Sequence, residues 1–379
     1  MGYVAVSGGR VAIDASIDLL ELRRLSSGHV IDTKLIEAAL PDLVNQVQSE
    51  GSLWSPEIAA TAVKQACGSV EEAVFLVRAY RSTLERLYTS RTIESREMRV
   101  NRRISAAFKD VPGGQILGAT RDYSHRLIDF DLADETDEDA RALRSRIDAA
   151  LDEAASALAS DGAPAGERLP KVSDYLRSIG LLPTLPNDDA DPVDLTKMPL
   201  SFPAPRSAVL QSLSRGLTQA VVAIGYAAIR GFGLLHPTVG ELRRGEVPVT
   251  IDAPGNEGGS TDDAYYLGSI PVCEVENLCV TETTENGETV SSLDVGYGLV
   301  MGSDESKAIA MSVLDATLRS DDPRYPTQDQ EFVLTHIDGV EATGFISHLK
   351  LPHYVTFQSK LDSALRTRKE RAAAEKEGR

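Results

Sequence analysis

The sequence predicts an α+β fold, with a helical N-terminal part followed by a mixed α/β part with short antiparallel strands. Three observations carry this expectation. Apolar residues in the N-terminal third recur at steps of three and four, the helical period. Runs rich in β-branched and apolar residues, bounded by turn formers, come later, from Val247 onward. No internal repeat is present, and helices precede the sheet along the chain.

The elements follow in order. A short apolar stretch, Tyr3 to Val6, leads through a Gly8-Gly9 turn into helical spacing over Val11 to Leu25. Ile36, Leu40, Leu43, Val44 and Val47 form a second stripe, and Pro41 within it means that the helix kinks or restarts. Ser55-Pro56-Glu57 puts a capping hydroxyl before proline at the first helical position, and Gly68 suits the stop. Ser69-Val70-Glu71-Glu72 is a capping box opening a helix whose Val77, Tyr80, Leu84 and Leu87 would share a face. Asp131 to Gly166 reads as an acidic, alanine-rich surface helix with a flexible end at Asp161-Gly162-Ala163-Pro164. The six prolines from Pro183 to Pro205 mark a linker or an extended crossing segment. Gly216 to Arg230 is helical again. Strands are expected at Val247–Ile251, Tyr265–Ile270, Val272–Val280 and Val295–Met301, and Ser303 can cap a helix through Leu318. Phe357 to Arg379 is a solvated helix or a partner-binding tail. The regions so defined are 1–130, 131–205, 206–356 and 357–379.

Composition limits the function classes. At 379 residues, 42% hydrophobic and 25% charged, the chain is ordinary globular material with room for two or three packed units. The net charge of −18 argues against a general binder of nucleic acid or anionic membrane. That charge is distributed in blocks. Arg78 to Arg126 holds eleven basic and five acidic residues, a net +6, whereas Asp131 to Ala163 holds ten acidic and three basic. Ile251 to Val290 holds nine acidic residues and no basic one. Three scattered cysteines, Cys67, Cys273 and Cys279, read as reduced thiols in a cytoplasmic protein. No apolar run approaches the ~18 residues needed to span a bilayer, and no secretory signal is read at Met1 to Gly9.

Three constellations can carry chemistry. The first is Lys109-Asp110-Val111-Pro112-Gly113-Gly114-Gln115, with Arg102 and Arg103 upstream and Arg121, His125 and Arg126 downstream. Glycines that tolerate positive φ let backbone amides approach an anion, and guanidinium forks suit phosphate. The same residues also describe a hairpin turn carrying surface arginines. The second is Gly344 to Tyr354, where His348 and His353 lie five apart. On a helix five steps turn roughly 500°, leaving the rings ~140° apart. Pro352 forbids a regular helix, however, so in a turn the two rings can converge on one ion, with His336 or Asp338 nearby. One ring packed on Phe345 or Tyr354 and the other exposed is the competing arrangement. The third is Gly231-Phe232-Gly233 with His236-Pro237, Glu241, Arg243 and Arg244, a pocket-shaping loop or a helix exit. Gly296-Tyr297-Gly298 marks close backbone approach or a bulge.

The stretches Arg103 to Gln115, Asp122 to Phe130 and Phe345 to Tyr354 resemble the PhnI family, the central subunit of the bacterial carbon–phosphorus lyase core complex. Ala79-Tyr80-Arg81, Arg230-Gly231-Phe232-Gly233, His236-Pro237, Gly296 to Val300 and Glu331 to Leu334 fit the same pattern in order, so the resemblance covers nearly the whole chain. It implies that the protein, with companion subunits, transfers the 5-triphosphoribosyl group of MgATP to methylphosphonate and releases adenine. Alone it would be a purine nucleotide nucleosidase. The resemblance also implies Zn2+ at His348 and His353 and Mg2+ with ATP. As partners it implies the radical-SAM lyase subunit and an ATP-binding-cassette-type subunit, around a homodimer within a hetero-oligomer. A structural hub that presents ligand to the lyase subunit is the alternative.

Within that reaction, Arg103, Lys109, Gly113, Gly114 and Arg126 are the expected phosphate-binding residues. Asp110, Asp122 and Asp129 are candidates for stabilising positive charge at the ribose C1′. His125 or His236 is the candidate acid for the departing adenine.

Overall fold

The computed structural model describes residues 9–160, 169–184, 190–233, 236–253, 255, 263–285, 288–320 and 323–378. The expected N-terminal apolar stretch and the Asp161 to Pro164 end lie outside these residues. Internal contacts divide the chain into two units, each gathered from distant stretches. The first comprises Met1–Glu85, Pro192–Tyr226 and Asp322–Arg379, and the second Arg86–Asp191 and Ala227–Asp321. Linear boundaries at 130, 205 and 356 are therefore not where the fold divides.

The first unit is helical. Helix α1 (Gly9–Arg24) buries no residue, and Val11, Ile13, Ile17 and Leu20 are exposed. Pro41 restarts the second stripe, giving α2 (Thr33–Ala39) and α3 (Pro41–Gly51). Ser55 caps α4 (Pro56–Gln65) through the Ile58 amide, and Ser69 caps α5 (Val70–Arg81) through the Glu72 amide. Ile36, Val44, Val47, Val63, Val74 and Val77 pack with the alanines of α4 into one core. The face expected on α5 stops short. The Ser82 and Thr83 hydroxyls turn back onto the carbonyls of Ala79 and Tyr80, ending the helix at Arg81. Leu84 and Leu87 thus lie beyond it, exposed. The unit is completed by α8 (Arg206–Arg215), α9 (Thr218–Ala227), α11 (Gln330–His336), α12 (Gly339–Ser347) and α13 (Tyr354–Glu377), whereas α6, α7 and α10 belong to the second unit.

The second unit is built on an antiparallel sheet in the order β1 (Arg99–Ile104), β2 (Thr238–Asp252), β3 (Ala264–Glu285), β4 (Glu288–Met301). Two strands expected separately fuse into β3 through Pro271, and β2 runs through Pro248. Both prolines sit where a neighbouring strand has run out: β1 begins opposite Glu246 and β4 ends opposite Val272. No ladder donor is lost at either place. Strand β1 was not expected, because its arginines hide the alternation.

Helix α10 (Glu305–Thr317), capped by Asp304 rather than Ser303, lies against one face of the sheet. Gly296 and Gly298 make that possible. A Cβ on them would stand 2.1 Å from the Ser312 carbonyl oxygen and 2.0 Å from that of Ala308. The other face carries Val111, Val172, Leu176 and Leu182, the last three from α7 (Val172–Ser178) and its exit. Helix α6 (Asp137–Ser160) is exposed along its described length, as its acidic, alanine-rich sequence requires. Among the described residues, no helix is long and apolar enough to cross a membrane.

Candidate functional site

Consecutive residues on a strand point to opposite faces, and β1 uses this to anchor the glycine loop twice. Arg102 donates to the Leu117 carbonyl at 2.6 Å and pairs with Asp122 at 2.5 Å and Glu305 at 2.8 Å. Burial lowers its affinity for the proton, but the Glu305 and Asp122 carboxylates outweigh this and raise it. Arg103, on the opposite face, donates to Glu241 at 2.5 Å, to the Pro112 carbonyl at 2.6 Å and to the Pro170 carbonyl at 2.7 Å. Both arginines are 1% exposed. Arg103, expected at the phosphate, instead holds the loop from beneath, because every arm of its guanidinium already has an acceptor.

Above these anchors, Pro112-Gly113-Gly114 forms the expected turn, with φ of +81° and +76° at the glycines. The Gly114 amide donates to the Val111 carbonyl at 2.8 Å. Lys109, Asp110, His125 and Asp129 are exposed. Asp122 is divided between Arg102 and Arg126, the latter at 3.8 Å. Asp129 caps a short turn through the Asp131 amide. Arg126 is held at φ +53°, a conformation that costs a non-glycine residue free energy. His236 is exposed at the start of β2.

The net +6 of the basic block does not survive folding as a free patch. Arg78 pairs with Asp338, Arg91 with Asp252, Arg96 with Asp174 and Arg99 with Glu246. The cations of the loop itself are Lys109, Arg121 and Arg126.

Beneath the loop runs a buried polar row that the residue pattern revealed only in part. Glu274 accepts from Arg243, from Lys171 at 2.8 Å and from the Tyr297 hydroxyl at 3.0 Å, and Lys171 also reaches Glu276 at 3.2 Å. Burial pushes the Glu274 carboxyl up, but the Arg243 and Lys171 charges more than reverse this and hold it at about 2. Tyr297 is raised by burial and by Glu274. A signal for this row does exist in the sequence: Glu274 and Glu276 alternate with Val275 and Asn277 in an apolar strand, so two carboxylates had to face the same side.

At the other constellation, α12 ends at Ser347, a single turn spans His348–Lys350, and His353 precedes α13. This break brings the two rings to 5.6 Å between centroids. The His348 Nδ1 bonds the Phe345 carbonyl, and the His353 Nδ1 lies 2.5 Å from the Leu351 carbonyl. A carbonyl at Nδ1 fixes the proton there and leaves Nε2 with its lone pair outward, the state a metal takes. The pair therefore fits two ligands of a zinc ion. His348 also lies 5.0 Å from Phe345, so the aromatic contact and the convergence coexist. Asp338 is paired with Arg78, and neither it nor His336 joins the two rings in a set of three. Among the described residues no group of three or more His, Cys, Asp or Glu side chains could hold a metal.

Comparison with known proteins places this arrangement in a family. The family model for the bacterial phosphonate metabolism protein (PhnI) matches residues 2–371. The chain is 43% identical to a putative C-P lyase subunit protein HtxH of Stutzerimonas stutzeri, over 99% of this chain and 98% of that one. It is 40% identical to the alpha-D-ribose 1-methylphosphonate 5-triphosphate synthase subunit PhnI of Rhizobium meliloti (strain 1021), over 100% and 98%. Identity to the subunit of the same name from Escherichia coli (strain K12) is also 40%, over 97% and 99%.

Proposed function

Because this chain belongs to the PhnI family of bacterial phosphonate metabolism proteins, we propose that it is the corresponding subunit of an alpha-D-ribose 1-methylphosphonate 5-triphosphate synthase. The observation that carries the reading is identity of 40% to two subunits of that name along nearly the whole chain. In the reaction, the C1′–N9 bond of MgATP breaks and adenine keeps the bonding pair and takes a proton. A methylphosphonate oxygen then forms the new bond to C1′.

The glycine loop supports a division of labour. Lys109, Arg126 and the Gly113 amide meet the triphosphate, beside Gly114 whose own amide closes the turn, and Mg2+ offsets the remaining charge. Arg103 supports them from below. Asp110 and Asp129 are the exposed carboxylates available to a cationic ribose, with Asp122 as the anchor to Arg102. His125 or His236 donates the proton to adenine. His348 and His353 hold zinc through Nε2, and a third ligand comes from a companion subunit. Zinc there supplies Lewis acidity and a fixed positive charge. The exposed apolar residues of α1, and of α12 and α13, support the part of the reading that requires companions, including the lyase subunit and a second copy of this chain.

Incubating the isolated chain, and the chain with companion subunits, with MgATP and methylphosphonate tests the reading. Adenine release coupled to a ribosyl phosphonate product is expected with companions. Asp110→Asn should cut turnover about 100-fold or more while nucleotide affinity stays within about threefold; unchanged kinetics would remove Asp110 from this role. Replacing His348 and His353 by Ala should reduce zinc to background in elemental analysis, and retained stoichiometric zinc would overturn the assignment.

A further inference from the structure

The first unit contains a cavity of about 350 Å³ that none of the residues discussed so far as catalytic or zinc-binding lines. Leu195, Leu200, Phe202 and Leu334 give it an apolar wall, and Arg215 is the only cation among its lining residues. Arg215 stands in the last turn of α8. Its Nη1 donates to the Leu195 carbonyl at 3.1 Å, but its Nε is buried without an acceptor. A buried donor left unmade is costly, the more so in a charged group, so such a group marks a missing partner.

Of the two carboxylates among the lining residues, Glu341 is exposed and Asp338 is already taken. Both Asp338 oxygens take Arg78, at 2.8 and 2.9 Å, and one of them also takes the amides of Val340 and Glu341. Arg78 in turn reaches the Glu50 carbonyl, and Arg81 reaches that of Gly51 at 2.8 Å. Three guanidiniums thus share a neighbourhood in which Asp338 is already committed. Burial, then the charges of Arg78 and Arg81, pull Arg215 down to about 10. A negative charge in the cavity would relieve that repulsion.

We propose that this cavity binds a small organic oxyanion, with its charge on Arg215 and its apolar body against Leu200, Phe202 and Leu334. The volume decides the size class. An apolar cavity of about 150 Å³ holds benzene, so about 350 Å³ holds an aromatic or branched aliphatic group plus a charged head. Bare phosphate would leave the apolar wall unfilled and is expected to bind more weakly. The proposal is independent of ribosyl transfer, since it rests on the first unit's own residues.

Isothermal titration of the full chain with phenylphosphonate, benzoate, inorganic phosphate and neutral benzyl alcohol tests it. Saturable 1:1 binding of phenylphosphonate or benzoate is expected, with phosphate and benzyl alcohol at least tenfold weaker; the order of the first two separates phosphonate from carboxylate sources. Arg215→Gln should weaken binding at least tenfold, and Arg215→Lys should restore part of it. Leu200→Trp keeps the charge but fills the cavity and should lose binding as fully, with an unchanged circular dichroism spectrum; it decides the matter if Arg215→Gln does not fold. No binding of either organic oxyanion to the unaltered chain, or undiminished binding in folded Leu200→Trp, would overturn the proposal.

Discussion

Arg103 and Glu241, 1% and 3% exposed, are the kind of pair whose removal is costlier than its presence is stabilising. Deleting one partner strands a buried charge, at about 3–5 kcal/mol. Arg103→Met should therefore lower the urea-unfolding free energy by about that much, and should loosen the Pro112 to Gly114 turn that Arg103 holds. A second residue-scale expectation follows from Glu274, whose carboxyl sits at about 2 in the fold against an ordinary 4.5. The folded carboxyl binds its proton more weakly than the unfolded one. Its contribution is then complete above about pH 4.5 and disappears as the pH falls toward 2. Unfolding free energies measured across that window should decline in the unaltered protein, and Glu274→Gln should flatten the decline.

Between elements, backbone proximity decides what is tolerated. Helix α10 lies so close to β4 that a methyl group at Gly298 would overlap the Ala308 carbonyl, at 2.0 Å. Gly298→Ala should cost about 1–3 kcal/mol, the usual penalty for overpacking. Gly344, inside α12, has nothing within 4 Å of where a methyl group would stand. Gly344→Ala should instead stabilise by about 0.5–1 kcal/mol, because alanine surrenders less entropy in a helix. Thermal melts of the two variants should move in opposite directions. The His348–His353 turn is the same lesson at the proposed zinc site: Pro352 ends regular helix there, and the break brings together two rings that a continuous helix would hold apart.

On the scale of the whole molecule, a chain of net charge −18 spends its basic block on carboxylates remote in sequence, Asp174, Glu241, Glu246, Asp252, Glu305 and Asp338 among them. What it leaves uncovered is apolar: Val11, Ile13, Ile17, Leu20 and Leu22 on α1, and Phe345, Ile346, Leu349, Val355 and Phe357 on and between α12 and α13. Under the proposed function such faces are where companion subunits are expected to dock. Amide hydrogen exchange over Gly9–Arg24 and Tyr354–Glu377 should be fast in the isolated chain and slowed at least tenfold in the assembled complex. Equal exchange in both would mean that the companions bind elsewhere.

Much was legible in residue order because its causes are local. Ser55-Pro56 and Ser69 announced helix starts, Pro41 a kink or a restart, Gly113-Gly114 a turn, and the Gly296-Tyr297-Gly298 pattern a close approach or a bulge; each acts within a few residues. Ordered motifs along the chain likewise point to the family. Charge was different. Whether Arg102 and Arg103 would face a phosphate or a carboxylate depended on Glu241 of β2, Glu305 of α10 and Asp122 of the following loop, which only the tertiary fold brings within 3 Å. An arginine's partner is chosen by proximity in space, because Coulomb attraction ignores chain order, and desolvation then commits the pair chosen.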